Sequence, residues 1–176
     1  MKKVLVVVDM QNDFVDGALG TEEAVGIVEK VAAKIRNFDG EIFVTMDTHH
    51  DNYMETAEGK KLPVPHCIKE TKGWLLNEKV KAALADKDYQ TLEKGTFGST
   101  ELVEEIRKIK GNDDMEMEFV GLCTDICVVS NVLLLKAYFP EEKMTVDAGC
   151  CAGVTPQSHK AALETMKMCQ IDVIGE

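Results

Sequence analysis

Residues 3–9, KVLVVVD, constrain the fold of this chain more than any other stretch. Four valines and a leucine follow one another without a polar break. A strand with one face in water alternates apolar and polar residues. An unbroken β-branched run fits a strand covered on both faces, as in a parallel sheet layered between helices. EIFVTMD (41–47), a segment at 88–93, MEMEFVG (115–121), KMTVDA (143–148) and QIDVI (170–174) read as five further strands. Helical patterns lie between them. Thr21 can cap a helix in which Val25, Val28, Val31, Ala32 and Ile35 recur at helical spacing to about Phe38. Further helices are expected over 74–85, from Ser99 to about Lys110, over 125–139, and from Thr155-Pro156 to near Lys167. The alternation predicts an α/β chain. Its expected form is a single domain spanning 1–176, a three-layer α/β/α sandwich around a six-stranded, mostly parallel sheet.

In such sheets ligands bind beyond the carboxyl ends of the strands. That rule selects Asp9, Asp47 with His49, Glu93 with Lys94, the 121–127 turn, and Asp147. Composition narrows the partners. A formal net charge of −11, with no Lys/Arg cluster, argues against nucleic acid or an anionic membrane surface and leaves a small molecule as the expected partner. No apolar stretch approaches the roughly 18 residues of a membrane span, and no cleavage site follows VLVVV. A soluble, cytoplasmic protein is expected, in which the six cysteines stay reduced. None of them shows the CxxC spacing of a zinc finger or a thioredoxin-type site.

Taken singly, Asp9 reads as a polar strand end, Lys94 as a solvated lysine and Cys127 as an inert buried thiol. Together at strand ends they form a cysteine-nucleophile set. A helix N-terminus near Thr124–Cys127 and the Lys94 ammonium would favour thiolate, and Asp9 can take and return a proton. The segments DMQNDF (9–14), Lys94, GLCTDICV (121–128) and TPQSHKAALETM (155–166) resemble the isochorismatase-like cysteine hydrolases along the whole chain. The resemblance implies a catalytic triad of Asp9, Lys94 and Cys127. It also implies an oxyanion hole at the backbone N–H groups of Cys123 and Cys127, and a non-proline cis peptide at Leu122–Cys123.

The long polar segment 47–71 separates members of that family. Asp47 and His49 lie two apart on extended chain and so face the same way. His66 returns from the far end, and Glu58 is a fourth candidate. Two imidazoles with carboxylate oxygen suit a divalent metal, zinc first and iron or manganese as alternatives. This Asp-x-His…His arrangement resembles that of nicotinamidases (pyrazinamidases), in which the metal binds the substrate's pyridine nitrogen. Phe14 and Phe97 are expected to flank the ring. His50 and His159 are expected to lie outside the site, and Asp51 is a rival ligand ranked below Glu58. Two positions depart from the nicotinamidase pattern: Pro63 and Thr48 stand where an aromatic or large apolar residue is usual. The expected reaction is hydrolysis of nicotinamide to nicotinate and ammonia through a thioester on Cys127. The alternative is a metal-independent hydrolase of the same fold acting on a ureido or carbamoyl compound. Family likeness also implies a homo-oligomer, dimer or tetramer. A dinucleotide-binding module is disfavoured, because DMQNDFVDG lacks the glycine-rich turn that cradles phosphate. A redox sensor built on Cys123 and Cys127 is the remaining non-enzymatic reading.

Overall fold

The computed structural model describes residues 1–176. Its strands are β1 (Lys2–Val8), β2 (Glu41–Asp47), β3 (Tyr89–Lys94), β4 (Met115–Leu122), β5 (Lys143–Ala152) and β6 (Asp172–Ile174). They form one sheet in the order β3-β2-β1-β4-β5-β6, and every pairing is parallel. Val4 through Val8 are fully buried, as the unbroken apolar run requires. The order reverses at β1, so the crevice lies where β1 and β4 part.

The helices are α1 (Asn12–Val15), α2 (Glu22–Asn37), α3 (Ala57–Lys61), α4 (Glu78–Leu84), α5 (Thr100–Lys110), α6 (Val129–Tyr138) and α7 (Pro156–Met168). Side chains of α2 and α4 pack with Leu5, Val7 and Val120 on one face of the sheet. Side chains of α5, α6 and α7 pack with Val4, Val6 and Phe119 on the other. In α2 the Thr21 hydroxyl accepts from the N–H of Ala24 at 3.0 Å. Such a cap contributes about 1 kcal/mol. Burying Ile27, Val28, Val31 and Ile35 contributes about 1.5–3 kcal/mol each, so packing rather than capping holds this helix. No helix is long and apolar enough to cross a membrane.

Several expected boundaries shift. Residues 74–77 are not helical, because backbone groups of Leu75 and Asn77 are engaged by the segment after β1: Asn12 N–H bonds Leu75 O, and Asn77 N–H bonds Met10 O. Val25 is half exposed, while Ala24 and Ile27 take the inward positions of α2. The 47–71 segment is not irregular throughout. It holds a 3₁₀ turn at Tyr53–Glu55 and the short α3, where the Thr56 hydroxyl accepts from Gly59 N–H at 3.0 Å. Asp147 is not at a strand end, since β5 continues to Ala152. Its carboxylate pairs with Lys34 of α2 at 2.8 Å, and Lys34 also meets Glu118 at 2.6 Å.

Where β4 meets β1, Gly121 adopts a φ of 119° opposite Val8. A Cβ there would collide with the Val8 carbonyl oxygen. Gly121→Ala therefore combines left-handed strain with a steric clash, and is expected to destabilise the protein by about 1–3 kcal/mol or more. A denaturation midpoint equal to that of the unmodified protein would contradict this close approach.

Candidate active site

Asp9 is the first residue past β1 and is completely buried. Its φ of 47° turns the chain out of the sheet, a left-handed conformation that aspartate tolerates better than most residues. Thr45 of β2 donates its hydroxyl to Asp9 Oδ1 at 2.7 Å. Lys94 ends β3, which is not adjacent to β1. Its side chain reaches across the end of β2, and its ammonium lies 2.6 Å from Asp9 Oδ2 and 3.5 Å from Asp47 Oδ1. The same Nζ lies 3.0 Å from the Thr96 carbonyl and 3.4 Å from Cys127 Sγ. The three residues expected to form the triad are thus within contact distance.

Cys127 lies not in the first turn of an α-helix but in a π-turn, Thr124–Val128, that leads into α6. The Cys123 carbonyl accepts from both Ile126 N–H and Val128 N–H at 3.1 Å. The Leu122–Cys123 peptide is cis, and the N–H of Cys123 has no hydrogen-bond partner in the protein. Cys123 and Cys127 border the same cavity, so the turn does not send their side chains to separate environments.

The charges decide what each group can do. Burial, with the Asp9 carboxylate adding to it, pushes the Cys127 thiol well above its usual range, and Lys94 only partly opposes this. Burial therefore works against the thiolate that the helix end and Lys94 are expected to favour. One ammonium faces two carboxylates here, so a further anion is unfavourable. Burial also raises the Asp9 carboxyl above its usual value, with Lys94 opposing and Asp47 adding. Burial alone would lower the Lys94 ammonium, yet Asp9, Cys127 and Asp47 hold it above its usual range. Lys94 is a fixed positive charge, while Asp9 is placed to exchange a proton. Cys123 is likewise pushed up, to about 12, first by burial and then by Asp125, but it is Cys127 and not Cys123 whose sulfur the Lys94 ammonium contacts.

A second cluster adjoins this one. His49 Nε2 is 3.0 Å and His66 Nε2 3.5 Å from Asp47 Oδ2. Glu58 Oε1 lies 3.8 Å from the first imidazole nitrogen and 3.6 Å from the second. Ligands bound at about 2.1 Å in tetrahedral geometry sit about 3.4 Å from one another, so the donor atoms of Asp47, His49 and His66 have metal-ligand spacing, with Glu58 beside this set. His66 Nδ1 lies 2.8 Å from the Val64 carbonyl, a contact that leaves Nε2 as the lone-pair nitrogen. Burial would raise the Asp47 carboxyl, but contacts with His49 and His66 and the Lys94 charge hold it well below the usual carboxylate range. These donors fit a divalent cation. His50 and Asp51 are exposed and take no part.

A cavity of about 650 Å³ joins the two clusters. Phe14 lines it and packs on the His66 ring at 5.5 Å between centroids, and the half-exposed Phe97 stands at its mouth. Trp74 does not line the cavity; its indole N–H donates to the Thr48 hydroxyl at 2.9 Å.

Residue-type reasoning passed over four side chains that hold these groups. Gln11, fully buried, donates to the Asp47 carbonyl and accepts from the Asp47 N–H, both at 2.8 Å. Asp13 accepts from Cys67 N–H at 2.8 Å, fixing the backbone next to His66. Asn131 accepts from Ser99 N–H and donates to the carbonyls of Cys127 and Phe97. Thr45 is the fourth. Asn131 had a visible signal, a polar residue four after Cys127 on an otherwise apolar helix. Gln11 and Asp13 lie in the DMQNDF motif, whose polar letters were read only for Asp9.

Residues 3–175 match the family model of the isochorismatase domain. The chain is 27% identical over 174 residues to an isochorismatase family protein, PncA, of Bacillus subtilis (strain 168), covering 93% of each chain. It superposes on the crystal structure of nicotinamidase PncA from Bacillus subtilis with a TM-score of 0.84 at 26% identity, covering 98% of this chain and 99% of that one. The pyrazinamidase/nicotinamidase from Streptococcus mutans UA159 gives a TM-score of 0.82 at 25% identity, covering 98% and 100%. With its sheet order, its strand-end cluster and this full-length match, the chain belongs to the isochorismatase family of hydrolases.

Proposed function

We propose that this enzyme is a metal-dependent nicotinamide amidohydrolase, producing nicotinate and ammonia. One observation carries the reading. Lys94 touches Asp9 and Cys127 on one side and Asp47 of the Asp47–His49–His66 cluster on the other, so a thiol site and a metal-ligand site share one cavity. A metal-independent hydrolase has no use for the second cluster. The similarity to nicotinamidase structures at 25–26% identity agrees with the reading.

Asp47, His49 and His66 would hold the cation, with Glu58 as the fourth protein donor, and two imidazoles with carboxylate oxygen favour zinc. Bound there, the cation supplies a Lewis acid for the ring nitrogen. Phe14 and Phe97 flank the ring and bring the carboxamide carbon to Cys127. Asp9 accepts the thiol proton as the sulfur–carbon bond forms. The resulting oxyanion is received by the N–H groups of Cys123 and Cys127. Asp9 then gives the proton to the amide nitrogen, the C–N bond breaks and ammonia leaves. Water attacks the thioester and yields a proton to Asp9, which returns it to sulfur as nicotinate departs. Lys94 keeps its charge throughout and offsets the negative charge carried by Asp9 and the reacting sulfur.

The purified enzyme is expected to release ammonia from nicotinamide. Cys127→Ala should lose about 10⁴-fold or more of that rate, and Asp9→Asn about 10²–10⁴-fold. Cys127→Ala turning over nicotinamide at the original rate would remove the thioester route. Equilibrium dialysis against zinc should give one bound equivalent, abolished in His66→Ala and weakened in Glu58→Gln. Equal zinc content in His66→Ala and the unmodified enzyme would detach the metal from this cluster.

A further inference from the structure

The turn that carries Cys127 has no side-chain cap of its own. Besides the contacts of Lys94 and Asn131 with Cys127, two hydrogen bonds tie it to the segment between β5 and the first turns of α7. Asp125 accepts from Val154 N–H through both carboxylate oxygens, at 3.1 and 3.3 Å. Thr124, completely buried, has its hydroxyl 2.7 Å from His159 Nδ1. That is the only side-chain contact of the hydroxyl, and the residue lies between Cys123 and Cys127, the two proposed oxyanion donors. His159 is itself held in place. A Cβ on Gly153 would come within 2.8 Å of the His159 backbone nitrogen, so only glycine lets the chain pass this close. Thr155 caps α7 by accepting from Ser158 N–H, and its carbonyl accepts from His159 N–H at 3.0 Å. Residue type alone places His159 outside the site.

We propose that His159 is a positioning residue: through its hydrogen bond to Thr124 it sets the turn that presents the Cys127 sulfur and aims the N–H groups of Cys123 and Cys127. The inference rests on the amidohydrolase reading for its kinetic consequence, but the hydrogen bond and the turn it holds do not. Burial holds the imidazole below its usual pKa, with Asp125 and Glu176 opposing and Lys160 adding, so the ring is neutral near pH 7 and its Nδ1 can accept the threonine proton. An asparagine side chain places a polar atom near the Nδ1 position, whereas leucine fills the space without one. Oxyanion donors act on the transition state more than on bound substrate, so a misaimed turn lowers kcat and leaves KM nearly unchanged.

The test is a set of full-length, zinc-loaded variants: His159→Leu, His159→Asn, Thr124→Val, and the His159→Leu/Thr124→Val double. Turnover of nicotinamide, Tm, zinc content and the rate of Cys127 alkylation by iodoacetamide are measured on each. His159→Leu and Thr124→Val are expected to lower kcat by roughly 10–100-fold with KM and zinc content held. The double should be no slower than the worse single, and His159→Asn should recover most of the rate. Alkylation of Cys127 should slow in the same variants. Unchanged rates in His159→Leu would overturn the inference, as would losses that follow Tm across the set with no recovery in His159→Asn. If the unmodified enzyme leaves nicotinamide intact, the amidohydrolase reading fails, and the alkylation series alone decides whether His159 sets the turn.

Discussion

The Lys94 ammonium is the interaction on which the site depends. A cation with a side chain only 2% exposed is costly unless anions surround it, and here Asp9 and Asp47 do so. Those two carboxylates belong to different chemistries, one beside the sulfur and one among imidazoles. The lysine therefore keeps both ionised in a space where two bare anions would repel. It does so from β3, across the end of β2, which only a long side chain allows. Asp47 also has His49 and His66 beside it, so removing Lys94 would expose Asp9 most, and the cheapest response would be protonation of that carboxylate, the proposed proton acceptor.

Charge balance also explains the state of the nucleophile. A thiolate is favoured by Lys94 and disfavoured by burial, Asp9 and Asp47, and burial dominates. This balance agrees with the proposed mechanism, in which the thiol is activated by proton transfer to Asp9 as the new bond forms rather than stored as an anion. Asp9, already raised by the same burial, is suited to that transfer. Cys123 shares the cavity and is also pushed up, to about 12, by burial and then Asp125; what distinguishes Cys127 is its contact with the Lys94 ammonium.

The sheet was readable from the sequence because it follows largely from period and composition: KVLVVV fits a doubly covered strand, and the strands fall near the expected segments, although β3, YQTLEK, is not an apolar run. Asp9, Lys94, Cys127, Asp47, His49 and His66 were visible as strand-end or loop residues of reactive type. Their mutual distances were not, because these depend on pairings remote in sequence. Nothing in the sequence shows that Lys94 reaches Asp9 across the end of β2. Gln11 was invisible for a related reason: its work is to bind backbone groups, and backbone carries no sequence signal. The thiol's raised pKa could not be read either, since it reflects burial among charges brought in from other strands.

The six residues of DMQNDF serve both halves of the site. Asp9 faces the sulfur, Gln11 clamps Asp47, Asp13 holds the backbone beside His66, and Phe14 packs on the His66 ring. The metal-ligand loop is therefore not a detachable module. Transplanting residues 47–71 into a related scaffold would carry the donor atoms but not the grips that aim them. A working graft must bring residues 9–14 as well, although more than thirty residues separate the two segments.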